Sequence, residues 1–155
     1  MKKVSVYVSA PITFSLEKKK KMSLFLKLAI EGNKWRKRLY RKLEKLKDID
    51  IVDPLKYDIR GKEDDYEMCI DVVHKNKEDI KRADVVITNS EYCSWGTAME
   101  LHYAATIMTK PIFIVCSKTG TEVSPWLQYL QTFTKVKFVT EKALFEHFEK
   151  MIKDN

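Results

Sequence analysis

The sequence predicts a doubly wound α/β fold, flavodoxin- or Rossmann-like, with a five-stranded parallel sheet and helices on both faces. Three observations predict it. Apolar runs of strand length alternate with longer segments at helical spacing along the chain. The run Ala83-Asp84-Val85-Val86-Ile87-Thr88-Asn89 reads as a buried parallel strand that ends in polar residues. The 155 residues, 45% of them hydrophobic, can build one sizeable core, and no repeat or low-complexity tract divides them, so residues 1–155 are read as one domain.

The first strand is expected near residues 3–9, where apolar residues alternate and Pro11 stops the run too early for a secretory signal. A helical region near 15–47, broken around Gly32, follows, then a strand near 49–53 and a helix near 64–82. The strand near 84–89 leads to a helix near 96–109, which Lys110-Pro111 stops because proline cannot continue it and restricts its predecessor. Phe113, Ile114 and Val115 mark a strand near 111–116. A loop and short helix near 117–131, a strand near 136–139 and a helix near 141–152 complete the order, with right-handed crossovers.

The net charge of +7 and a sequence pI of about 9.2 permit attraction to phosphate. Much of that charge lies on Lys18 to Lys21 and Lys34 to Lys47. There Trp35, Leu39, Leu43 and Leu46 form an apolar face, while Arg36, Lys37, Arg38, Arg41, Lys42 and Lys45 are expected to solvate the other. Nucleic-acid binding would interleave exposed aromatics with the basic residues, so this pattern argues against it. Cys69, Cys93 and Cys116 are odd in number and widely spaced, which fits neither a disulfide framework nor a zinc site. Cys93, beside a glycine turn, is a weak candidate nucleophile without a histidine partner. No run of about 18 uncharged apolar residues suggests a membrane span, and a cytoplasmic protein is expected. There is no Walker loop, dinucleotide glycine fingerprint or metal-ligand cluster, so no cofactor and no metal is expected.

The most informative residue is Glu100, in Ser94-Trp95-Gly96-Thr97-Ala98-Met99-Glu100-Leu101-His102-Tyr103-Ala104. Gly96 is expected to allow a tight approach just before a helix, with Leu101, Ala104, Ala105 and Met108 anchoring that helix in the core. Glu100 would then sit near the helix start, where the dipole favours a carboxylate and keeps it ionised. Isolated, such a glutamate would be only a favourable charge. The strand ends carrying Tyr7 with Ser9, Asp53 with Pro54, and Asn89 should converge on it, since α/β sheets bind ligands at the carboxyl ends of their strands.

Three segments carry a resemblance: Val6-Tyr7-Val8-Ser9-Ala10-Pro11-Ile12, Asp79-Ile80-Lys81-Arg82-Ala83-Asp84-Val85-Val86, and Gly96-Thr97-Ala98-Met99-Glu100-Leu101-His102-Tyr103-Ala104. In order and spacing they resemble the nucleoside 2-deoxyribosyltransferase superfamily, which includes 2′-deoxynucleoside 5′-phosphate N-hydrolases. The resemblance implies that Glu100 attacks C1′ of a nucleoside or nucleotide, forming a glycosyl-enzyme that water or a second base resolves. It implies that Tyr7 orients Glu100 and that a homo-oligomer shares its active sites.

It also places Asn76 where the family usually has an aspartate that helps the base depart. An amide cannot donate a proton as an acid does, so Asp71, His74 or Asp79 would have to act, or turnover is lost and a nucleotide-binding module remains. Ser94 stands where the monophosphate hydrolases carry serine, and with the Gly96 amides it would suit a 5′-phosphate. Ser9, Ala10 and Ile12 would complete the phosphate or sugar pocket, and Asp53 would contact base or sugar. Trp126 would stack on a base or anchor a subunit interface.

Overall fold

The structure, a computed structural model, describes residues 3–11, 24–57, 64–92, 94–117 and 124–153. Five strands, β1 (Val4–Val8), β2 (Ile49–Val52), β3 (Val85–Asn89), β4 (Ile112–Val115) and β5 (Val136–Val139), form one sheet in the order β2-β1-β3-β4-β5. All four pairings are parallel, with Tyr7 opposite Val52 on one side and Val86 on the other. Every residue of β3 and β4 is buried, which is why both read as continuous apolar runs rather than alternating ones. Expected and observed strands agree to within a residue or so at each end.

Helices α1 (Leu24–Leu43) and α5 (Glu141–Lys153) cover one face, packing Trp35, Leu39, Leu43, Leu144 and Phe148 on Val6, Val8, Val85, Ile87 and Phe113. Helices α2 (Tyr66–Arg82), α3 (Trp95–His102) and α4 (Pro125–Phe133) belong with the other face, where Ile80, Leu101, Ala104 and Leu130 join Tyr7, Val86, Ile112 and Ile114. The chain leaves β1 toward β2 and leaves β3 toward β4 on the opposite side. The carboxyl ends of neighbouring β1 and β3 therefore flank the switch point at which such sheets bind ligands.

Local chemistry fixes the helix ends. Asp65 caps α2 by accepting from the Met68 amide at 3.0 Å, and Ser94 caps α3 through the Thr97 amide at 3.1 Å. The Lys110 ammonium closes the far end of α2, donating to the Lys81 and Ala83 carbonyls at 2.6 and 2.7 Å. Helix α3 does not run regularly to residue 109. After His102 it widens into a π turn, Tyr103–Ile107, with the Met108 amide bonded to the Tyr103 carbonyl at 3.1 Å. Thr109, at φ 48°, then reverses the chain ahead of Pro111.

The expected break at Gly32 is absent: α1 is continuous through it. The packing of Trp35, Leu39 and Leu43 outweighs the about 1 kcal/mol that a mid-helix glycine costs. Gly32 is there because space is short. A Cβ at this position would stand 3.0 Å from Pro11 Cδ and 3.0 Å from Tyr92 Cβ, so the loops after β1 and β3 both press on the helix backbone. Gly32→Ala should therefore lower the unfolding free energy in urea. The strain of overpacking, about 1–3 kcal/mol, exceeds the about 1 kcal/mol gained in helix propensity. A stabilised variant would contradict this packing.

Candidate active site

Two elements bring side chains into contact with the Glu100 carboxylate. The end of β1 supplies Ser9, whose hydroxyl donates to Oε2 at 2.5 Å. Helix α2 supplies Asn76, whose Nδ2 donates to Oε1 at 3.2 Å. This orientation is the one that places the amide donor, not its carbonyl oxygen, toward the charge. Tyr7 lies two residues before Ser9 on the same face of the strand, with its phenol beside Glu100. It closes no hydrogen bond of ordinary geometry, so its buried hydroxyl is left over. The Asn76 Oδ1 and Thr88 Oγ1 are also buried without partners. Buried polar atoms left so usually cost about 1–3 kcal/mol each, and they cluster where function demands it.

Glu100 is the sixth residue of α3, not part of its first turn. The helix dipole fades within one turn, so it is not what governs this carboxylate. Burial pushes the carboxyl above its ordinary range. The hydrogen bond from Ser9, the Tyr7 phenol, the Arg36 guanidinium and the Asn76 amide pull it back down. Burial, and then the neighbouring Glu100 charge, hold the Tyr7 phenol far above its usual value, so it stays protonated.

The basic run on α1 contains one residue that is not on the solvated face. Arg36 has no exposed surface at all. Its Nη1 donates to the Ala10 carbonyl at 3.2 Å and its Nη2 to Asn33 Oδ1 at 2.9 Å, while Nε is buried without a partner. The sequence held a signal for this: residues 36 and 43 fall within about 20° of each other around a helix, so Arg36 stands in line with buried Leu43.

Other expected residues fall in different places. Asp53, just after β2, accepts from the Tyr40 hydroxyl and the Leu55 amide, both at 2.9 Å, and its charge acts on Arg36. Asn89 does not face Glu100. It follows Val85 and Ile87 onto the α1 side, accepts from the Glu91 amide at 2.7 Å, and lines a cavity of about 170 Å³ with Trp35, Glu91, Cys116 and Thr140. Thr88, one residue earlier, is the β3 residue on the Glu100 face.

Gly96 is not a tight turn ahead of the helix. It is the second residue of α3, exposed, and a Cβ there would meet only Ser94 Oγ at 3.8 Å. Ser94 is engaged as the cap, with its Oγ also 2.9 Å from Thr97 Oγ1. Trp126 is 73% exposed and packs edge-on against Tyr129. Ile12 and Cys93 lie outside the described residues.

Nor does any of the three groups expected to stand in for Asn76 stand ready. Asp71 pairs with Lys75 on the surface, and His74 is exposed. Asp79 is buried but faces Lys56 and Arg82, at 2.9 and 2.5 Å. Among the described residues no cluster of His, Cys, Asp and Glu is built to hold a metal ion, and no helix is long and apolar enough to cross a membrane.

A family profile described as Nucleoside 2-deoxyribosyltransferase matches residues 6–152, which takes in β2 to β5, most of β1 and all of the groups around Glu100. The chain belongs to that family. Membership places this deoxyribosyltransferase-family protein among enzymes, with hydrolysis and transfer both open. No curated protein sequence matches it. Among solved structures it is similar in fold to the CMP N-glycosidase BcmB of Clostridium botulinum, at 17% identity and a TM-score of 0.55, over 95% of this chain and 97% of that one. It is also similar to a 2-deoxyribosyltransferase of Bacillus psychrosaccharolyticus, at 18% identity and a TM-score of 0.59, over 89% and 87%.

The raised carboxyl of Glu100 has a signature in stability. A carboxylic acid whose folded value lies above its unfolded one stabilises the fold fully below the unfolded value. That contribution is lost as pH rises through the folded value, because the buried group must then ionise. The melting temperature of Glu100→Gln relative to the parent should therefore climb between pH 4 and pH 8, with ~2–4 °C for each kcal/mol of relief. A difference that is flat or falls with pH would mean that hydrogen bonds outweigh burial at this carboxylate.

Proposed function

We propose that this enzyme cleaves the N-glycosidic bond of a deoxynucleoside or its 5′-monophosphate, with Glu100 as nucleophile at C1′, and that residues 1–155 form one domain for this purpose. The observation that carries the reading is the convergence of Ser9, Asn76 and the Tyr7 phenol on one half-buried carboxylate at the sheet's switch point. An oxocarbenium-like transition state needs a negative group close to the anomeric carbon, and the hydrogen bonds of Ser9 and Asn76 favour the charged form of Glu100 against burial. Glu100 displaces the base to give a glycosyl ester. Water or an incoming base then attacks the same carbon and frees the carboxylate. No cofactor takes part in either step.

Ser9 and Tyr7 hold and orient Glu100 in this mechanism. The exposed start of α3, capped by Ser94 and bare at Gly96, offers amides to a 5′-phosphate, which supports a monophosphate substrate. Ala10 and Asp53 border the same edge of the sheet, and Ile12 is assigned to it from the sequence. The reaction fits nucleotide salvage in the cytoplasm. A second reading rests on Asn76: its amide is spent on Glu100 and gives the departing base no proton. That favours a nucleotide-binding module with a degenerate site, unless the base leaves protonated by another route.

A homo-oligomer is part of the proposal. All nine large exposed hydrophobics among the residues whose burial is described lie on α2, α3 with its π turn, or α4. Trp95 and Met99 on α3, 85% and 70% exposed, are close in sequence to Glu100, and Trp126 with Tyr129 extends the same layer. Light scattering should give a mass that is a multiple of 18.3 kDa. A monomer at micromolar concentration would contradict shared sites.

Incubation with deoxynucleosides and their 5′-monophosphates, with and without an acceptor base, tests the reaction directly. Base release confined to monophosphates, lost by at least about 1,000-fold in Glu100→Ala, is the expected result. Base exchange on free nucleosides would make the protein a transferase and remove the role given to the α3 terminus. No turnover, even after Asn76→Asp, would leave the binding module.

A further inference from the structure

We infer that Arg36 is a positioning residue for the site, anchoring the loop after β1 through the Ala10 carbonyl and setting a permanent positive charge behind Glu100 that keeps the carboxylate ionised. It rests on the proposed nucleophile only for its effect on rate, because the ionisation of Glu100 can be read without turnover.

The geometry argues against a purely structural arginine. Position 36 lies on the buried stripe of α1, in line with Leu43 and one turn from Gly32, where a leucine or methionine would pack without desolvating a charge. Both hydrogen-bond partners of the guanidinium are neutral, the Ala10 carbonyl and the Asn33 amide oxygen, and its Nε is buried without any. Among the described residues it is in no direct ion pair. A guanidinium does not deprotonate in proteins, so its buried charge must be balanced through space.

The acids that balance it come from two neighbouring elements. Asp53 after β2, bonded to the Tyr40 hydroxyl of α1, and Glu100 on α3 both act on the guanidinium through space. Glu100 in turn faces Tyr7 and Ser9 from β1, Asn76 from α2 and Arg36 from α1. Of these Arg36 is the one cation. The mechanical link is as short as the electrostatic one, since Ala10 follows Ser9, whose hydroxyl bonds to Glu100. One turn before Arg36, Gly32 abuts Pro11 in the same loop.

The test is a carbon-13 NMR titration of protein labelled at the glutamate side-chain carboxyl, with the Glu100 resonance assigned by its loss in Glu100→Gln. Arg36→Met should raise the Glu100 midpoint by about one unit or more, and Arg36→Lys, which keeps the charge, by less than half of that. Arg36→Gln retains a donor for the Ala10 carbonyl and gives a second neutral variant should the methionine protein fail to fold. It should move the midpoint as methionine does. Asn33→Ala, which removes a neutral partner and no charge, should leave it in place. If the neutral variants fold and titrate with the parent, the inference is overturned. In the activity assay the acid limb of the pH profile should move up by the same amount, with rate recovered at higher pH. An inactive parent would count against the proposed reaction while the titration still decides the role of Arg36.

Discussion

A largely enclosed carboxylate, which the proposed reaction needs in its charged form, sets the terms for the rest of this molecule. Glu100 lies where the carboxyl ends of β1 and β3 part, and burial alone would neutralise it. What opposes burial comes from outside α3: a hydroxyl from β1, an amide from α2 and a guanidinium from α1. The site therefore exists only when both faces of the sheet are assembled. Arg36 approaches from the α1 side and Asn76 from the α2 side, and the β1 end, reaching both through Ala10 and Ser9, joins them.

The same constraint explains features that would otherwise look like defects. Gly32 weakens α1 locally but lets Pro11 and Tyr92 press against its backbone, so the loop that carries Ser9 and Ala10 is held at short range. The π turn and the left-handed Thr109 shorten the regular part of α3. Lys110 is thereby placed at the end of α2, locking the two helices whose side chains meet at Glu100. The unpartnered Tyr7 hydroxyl, Asn76 Oδ1 and Thr88 Oγ1 lie on the same face of the sheet. A core selected for stability alone would not leave three such atoms on one face.

Much of this was legible in the sequence, and the reasons differ by element. The strands could be read because parallel strands buried on both faces are short, β-branched and bounded by polar residues, as Val85 to Thr88 are. The grouping of Glu100 with Tyr7, Ser9 and Asn76 could be read from a family pattern that spans the chain. Arg36 was hidden by its neighbours, since a run of basic residues looks like a solvated face until each position is placed on the helix. Asn89 was assigned to the wrong side because a strand end shows polarity but not which face it serves, and the period of two, counted from Val85, corrects it. The role of Gly96 and the π turn depend on backbone geometry that no residue type announces.

The central claim is that Glu100 forms a covalent bond to the sugar. Rapid acid quench of the enzyme with a deoxynucleoside 5′-monophosphate, followed by peptide mass spectrometry, tests it most directly. The account predicts a peptide carrying Glu100 that is heavier by one deoxyribose phosphate, an adduct absent from Glu100→Gln. Base release without any adduct, or with the sugar on a different residue, would contradict it.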